Sequence, residues 1–187
     1  MNKSVYRTIA GIAASFALAL PAAAQVSVVG CLYDSTPPPQ INDDPNKCPA
    51  DRKLDVVSLK GSWIQTLSPI GGGGGGAGKA QVGPFTIVKN LDRTSPGLFR
   101  DVVTGRHLRG ALFVVFDANG SGGNKLQRVF TVLLDDVLIS SYEFDAADSR
   151  SRNASPMDIV GFAYEKLTVR DDVSGVTQSF DFVQNKQ

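Results

Sequence analysis

With a single histidine, two cysteines and no cluster of lysine or arginine, the chain has little from which many kinds of site are built. A Ser-His-Asp or Cys-His nucleophilic centre would have to use His107, which sits in TGRHLRG at an element boundary, and no G-x-S-x-G elbow precedes a helix. Two thiols and one imidazole fall short of a four-ligand zinc centre. A net charge of +1 over 187 residues leaves no electrostatic footprint for nucleic acid. Past residue 24, no apolar run approaches the roughly 20 residues of a spanning helix, so no membrane partner is implied. No internal repeat is visible.

The ends carry more. Lys3 and Arg7 form a positive region, Ile9 to Leu20 an apolar run, and Ala22-x-Ala24 a small-residue cleavage pattern, which together read as a secretory leader over residues 1–24 with cleavage between Ala24 and Gln25. The apolar run of about 12 residues is too short to span a bilayer. Val28-Val29-Gly30-Cys31 loosely resembles a lipobox but lies well beyond that run, so lipidation of Cys31 is the weaker alternative. The expectation is an exported protein, periplasmic or extracellular, with residues 25–187 forming one domain. In an oxidising compartment Cys31 and Cys48 are expected to pair, closing a proline-rich loop over residues 31–52 that contains Pro37 to Pro39 and Asn42 to Lys47.

Strand signals dominate the rest. Runs rich in β-branched and aromatic residues occur at Gln25–Gly30, Leu54–Leu67, Ala80–Asn90, Leu108–Phe116, Leu126–Leu134, Val137–Phe144, Ile159–Arg170 and Val176–Val183. Gly61 suggests a bulge or bend, and Pro84 an edge or bulge. Turn-like segments separate the runs, among them the pairs Asp135-Asp136 and Asp171-Asp172. With Asp43-Asp44, these pairs read as turn residues rather than acid/base partners. Asp117 opens like a calcium loop, but the twelfth position is Arg128 where a glutamate is needed.

Only Ser95 to Gly105 reads as a helix: Ser95 as cap, Pro96 in the first turn, an apolar stripe of Leu98, Phe99, Val102 and Val103, and Gly105 as terminator. Too short to stand alone in water, it must lie on a sheet. About eight strands and one short helix, without strand–helix alternation, predict a mainly β fold: an antiparallel barrel or sandwich with one flanking α-helix. Trp63 and Tyr164 are expected in the core or at an interface.

The segment GGGGGGAGKA, Gly71 to Ala80, comes within one residue of a nucleotide-binding loop, since Gly73, Gly78 and Lys79 fit G-x-x-x-x-G-K-[ST] until Ala80 takes the hydroxyl position. The continuation AQVGPFTIV is strand-like and contains Gly83 and Pro84, so no helix start is available to face a phosphate. No cofactor is implied. Glycine loses the most backbone entropy on folding and has no side chain to bury, so Gly71, Gly72, Gly73, Gly74, Gly75, Gly76, Ala77, Gly78 and Lys79 read either as a flexible loop or as a contact loop that becomes ordered only against a neighbouring subunit.

In order and spacing, Leu54-Asp55-Val56-Val57-Ser58 with Trp63, the glycine segment running on through Lys89 and Asp92 to His107-Leu108, and LLDDVLISS (Leu133 to Ser141) resemble the haemolysin-coregulated protein (Hcp) family, the tube subunits of type VI secretion systems. The resemblance implies a compact β-barrel with one flanking helix, assembled as a homohexameric ring. Rings of that family stack into tubes that carry effector proteins, and the glycine-bearing loop contributes to contacts between rings. The leader and the cysteine-bounded loop imply an exported, filament-forming relative whose partner is itself and whose lumen holds cargo. The alternative is a secreted, non-enzymatic binding module that keeps the barrel without stacking.

Overall fold

The computed structural model describes residues 26–67, 77–118, 126–145 and 155–184. The strands are β1 (Val26–Tyr33), β2 (Lys53–Lys60), β3 (Trp63–Leu67), β4 (Ala77–Val82), β5 (Phe85–Asn90), β6 (His107–Asp117), β7 (Gln127–Asp145), β8 (Met157–Asp171) and β9 (Thr177–Asp181), with helix α1 (Ser95–Thr104) between β5 and β6. Six of them run in the order β5-β2-β1-β6-β7-β8, and β5 pairs back onto β8, so the sheet closes on itself. Closure satisfies both edges of every strand in the ring, which an open sheet cannot do. β9 extends β8 outside the barrel, and β3 and β4 form a separate two-stranded arm.

Alternation along each strand decides what faces inward. Leu32, Ala111 and Leu134 are cross-strand partners, as are Gly30, Phe113 and Val132. Leu32, Ala111, Leu134, Phe113 and Val132 all join the interior cluster with Leu54, Phe85, Ile87, Val160 and Phe162. Phe113 stacks against Phe85 and Phe162 with ring centroids 5.2 and 5.7 Å apart. Gly30 makes room for this: a Cβ there would lie 2.9 Å from the Phe113 ring. Fully burying a phenylalanine of this kind stabilises by about 1.5–3 kcal/mol.

Several strand boundaries differ from expectation. Leu54–Leu67 is two strands, because the chain leaves the barrel at Gly61-Ser62, and Ala80–Asn90 is likewise divided at Gly83-Pro84. Conversely, the expected strands Leu126–Leu134 and Val137–Phe144 merge, all but Leu126, into the single 19-residue strand β7, and Asp135-Asp136 lies inside it rather than in a turn. Asp136 takes φ 48°, one of the few conformations an aspartate tolerates more readily than bulkier residues, and the register runs unbroken past it, with Asp135 and Val137 paired to Gly110 and Leu108 of β6 and to Lys166 and Tyr164 of β8. Cys31 belongs to β1, so the proline-rich segment is 34–52 rather than 31–52.

Helix α1 packs on β7 but not by the predicted stripe. Leu98 is buried and Val102 partly so, whereas Phe99 and Val103 are 54% and 62% exposed. Asp101 is buried and paired with Arg52 at 2.5 Å. Ser95 is the first helical residue, not the cap. Its hydroxyl accepts from Asp92 N–H, while Asp92 in turn accepts from Thr94 N–H and Oγ1. Gly105 closes the helix at φ 62°.

Candidate functional site

Three features outside the apolar interior carry the functional residues named from sequence: the arm, the seam where the barrel closes, and the cysteine-bounded segment.

The arm is the product of two interruptions. Gly61-Ser62 and Gly83-Pro84 break the strands at one level, and Gly83 N–H donates to Ser62 O at 2.8 Å, pinching the base. Beyond it Trp63 faces Val82 and Ile64 faces Gln81. Trp63, Ile64 and Val82 are 43%, 61% and 40% exposed. The indole of Trp63 lies over Gly61, where a Cβ would come within 2.3 Å of it, and its N–H donates to Tyr164 Oη at 2.8 Å. Tyr164 meets Phe85 and Phe182 edge-on, so the arm is tied through one hydrogen bond to aromatic packing that continues into the barrel. Burial pushes the Tyr164 phenol up, against the opposing effect of the Trp63 bond.

Of the predicted contact loop, Gly71, Gly72, Gly73, Gly74, Gly75 and Gly76 lie outside the described residues. Ala77, Gly78 and Lys79 are in β4, so the strand begins three residues before the expected Ala80. A strand, not a helix, therefore continues the chain beyond the glycines. The leader with Ala24 and Gln25 also lies outside the described residues.

At the seam, register places Lys89 directly opposite Asp158, and both are fully buried. Lys89 Nζ donates to Asp158 at 2.9 Å, Asp92 at 3.0 Å, Ser95 Oγ at 3.2 Å and Asn90 O at 2.7 Å. Asp158 further accepts from Ser95 Oγ and, at 2.8 Å, from Tyr142 Oη. Burial, then the bond to the Asp158 carboxylate, pushes the Tyr142 phenol up to about 12. Burial alone would raise the Asp92 carboxyl, but hydrogen bonds from Thr94 and Lys89 outweigh it and hold the group below its ordinary value. A charge pair this well surrounded locks β5, β8 and the start of α1 together. From sequence, Lys89 and Asp92 stand out only as part of a family resemblance. Asp158 and Tyr142 do not stand out at all, because partners so far along the chain leave no local pattern.

Cys31 and Cys48 form a disulfide with Cα atoms 5.7 Å apart. The segment it closes lies on the outside of the barrel, over Leu112, Val114 and Leu133, with Tyr33 and Ile41 packed against them. Beside it, an open recess of about 660 Å³ is lined by Pro38, Ile41, Arg109, Asp135 and Lys166 among others. His107 is exposed at the start of β6. The pairs Asp43-Asp44, Asp135-Asp136 and Asp171-Asp172 are not brought together: they lie in the covering segment, inside β7 and at the end of β8. Among the described residues no group of three or more His, Cys, Asp or Glu could hold a metal ion.

A family model described as "Type VI secretion system effector, Hcp" matches residues 51–170. The chain belongs to the Hcp family. Solved Hcp structures share its fold. An Hcp1 from E. coli EAEC 042 is 21% identical, with 84% of this chain and 99% of that one covered and a TM-score of 0.64. Hcp3 from Pseudomonas aeruginosa, titled a secreted protein, is 17% identical over 84% and 98% of the two chains at 0.59. Hcp1 from Salmonella typhimurium is 18% identical over 86% and 97% at 0.57. No curated protein matches the chain. Membership makes this a type VI secretion protein of the tube-forming kind, and the matched residues take in the arm, α1 and the seam but begin after the second cysteine.

Proposed function

We propose that this chain is a structural subunit that associates with itself into rings, six-membered as in the family it belongs to, and that rings stack into a tube. Its task is mechanical rather than catalytic. Family membership supports a tube subunit, and the observation that carries the self-association is the arm: β3 and β4 pair only with each other among the described residues, yet present Trp63, Ile64 and Val82 to solvent. A two-stranded ribbon is marginal in isolation, so a ribbon with an apolar surface is best stabilised against a neighbour. The glycine segment between β3 and β4 in the sequence, Gly71 to Gly76 and on to Lys79, carries no bulky side chains before that lysine and suits close approach to another subunit's backbone.

The same reading places the working protein outside the cytoplasm, after loss of residues 1–24, in the periplasm or beyond, with a lumen able to hold a protein cargo. The disulfide fits an oxidising compartment. Electron microscopy of the purified mature chain, combined with light scattering, tests the proposal. Rings or tubes are expected. A monomer that persists at high concentration would contradict it.

A further inference from the structure

Register puts Cys31 on the same face as its partners: Cys31 pairs with Leu112, and Leu112 with Leu133. That face is the outside of the barrel, the side opposite Leu32, Ala111 and Leu134. Leu112, Val114 and Leu133 are nevertheless buried, at 0, 0 and 6% exposure, because residues 34–52 cross over them. The crossing is shaped for it. Gly110 admits Pro39, where a Cβ would lie 2.5 Å from Pro39 Cγ, and Arg128 reaches up from β7 to donate to Asp43 O at 3.1 Å and to Ile41 O. Arg170 of β8 donates to Asn42.

The two ends of the segment are tied down without help from the disulfide. Leu32 N–H donates to Arg52 O at 3.0 Å. Buried Arg52 bridges Asp34 at 3.0 Å and Asp101 of α1 at 2.5 Å, and Arg106 joins Asp34 at 2.9 Å. The middle of the segment is held over the apolar face by the Cys31–Cys48 bond and a few hydrogen bonds. The two sulfurs are also unequal. Cys31 is fully buried, while Cys48 is partly exposed and lines an open recess of about 390 Å³ with Tyr33, Asn42 and Lys47.

We infer that residues 34–52 are a redox-releasable strap: thiol–disulfide exchange at Cys48 frees the strap and bares the Leu112–Val114–Leu133 face while the barrel stays closed. In the exchange, one thiolate of an external dithiol attacks Cys48 Sγ, forming a mixed disulfide, and Cys31 leaves as a thiolate that takes up a proton. The second thiol of the dithiol then displaces Cys48, so one dithiol is oxidised and one protein disulfide becomes two thiols. Attack at Cys31 is blocked by the strap itself. Nearly all of the strap lies before the residues that match the Hcp family, so this control would be an addition to the shared barrel. It stands or falls independently of ring formation.

The test uses the intact folded chain with and without dithiothreitol, read by hydrogen exchange and an apolar fluorescent dye. Upon reduction, the amides of Asp43 and Lys47, which donate within the strap, should exchange roughly a hundredfold faster, as expected when a loop of this length loses its cross-link. Dye fluorescence should rise, and amides 111–114 should stay protected. Cys48→Ser should show the open behaviour without reductant, and Arg128→Ala a smaller loosening with the disulfide intact. Glutathione trapping followed by mass spectrometry should find the adduct on Cys48. Unchanged strap exchange after complete reduction, loss of protection at 111–114 together with the strap, or an adduct on Cys31 would each overturn the inference.

Discussion

The seam between β5 and β8 and the arm of β3 and β4 lie next to each other in the chain, joined at Gly83-Pro84, and come out as opposites. At the seam every second residue is sealed in: Phe85, Ile87 and Lys89 are at most 1% exposed, and even the charge is enclosed. Just before Phe85 the pairing changes partner, and the arm turns Trp63, Ile64 and Val82 outward. Residue type alone does not separate them, since β3 carries Trp63, Ile64 and Thr66 much as β5 carries Phe85, Thr86, Ile87 and Val88. What separates them is whether a second strand is supplied from within the chain. β5 receives β8, and closure buries its face; the arm has only itself among the described residues, so its apolar surface stays open.

The contrast can be pressed hardest at Lys89. Lys89→Met keeps the length of the side chain but leaves Asp158 buried without its cation, and should cost about 3–5 kcal/mol in chemical denaturation. Lys89→Met combined with Asp158→Leu should recover much of that loss, because an apolar pair can replace a buried ion pair at little cost. If the single variant were as stable as the parent, the seam would not be sealed as described. A milder probe, Ile87→Val, should lower stability by about 0.5–1.5 kcal/mol. The same one-methylene deletion at Ile64 on the arm should leave the monomer's unfolding free energy within roughly 0.5 kcal/mol of the parent's.

Alkali offers a third probe of the seam. Tyr142 has its pKa raised from 10.0 to about 12. A group whose folded pKa is raised contributes its stability in full below the unfolded value, and loses it as pH climbs through the folded one. The parent should therefore be steadily destabilised between 10.0 and about 12, and Tyr142→Phe should flatten that slope while removing one late-ionising phenol from an absorbance titration. Equal slopes in the two proteins would separate Tyr142 from the seam. Trp63→Ala probes the arm itself. It should shift unfolding of the isolated subunit by no more than about 1 kcal/mol, yet weaken self-association measurably by sedimentation.

These differences also mark what could be read from the chain. Strand-rich runs, the helix bounds at Pro96 and Gly105, and the mainly β class were legible in local composition, because turn chemistry and β-branching act over a few residues. Local signals failed where distant partners decided the outcome. Asp135-Asp136 looked like a turn because aspartate pairs favour turns, but β6 and β8 on either side hold β7 continuous past it in unbroken register. Phe99 and Val103 fit an apolar stripe, yet Arg52, arriving from the far end of the strap, draws Asp101 inward and rotates those two out. Cys31 and Cys48 could be paired on paper, whereas the face they cover emerged only from the register of β1, β6 and β7. Lys89 gave no sign of its buried partner, since the closing pair β5–β8 joins segments about 70 residues apart.

On the proposed function, the apolar surface left open on the arm and the glycine segment between β3 and β4 join one subunit to the next. Deleting Gly71 to Gly76 and following mass by light scattering over a concentration series puts this to the sharpest trial. The expected product is a folded, disulfide-bonded protein with the parent's unfolding midpoint that no longer forms stacked assemblies. A deletion variant that assembles as the parent does would refute the role given to the arm.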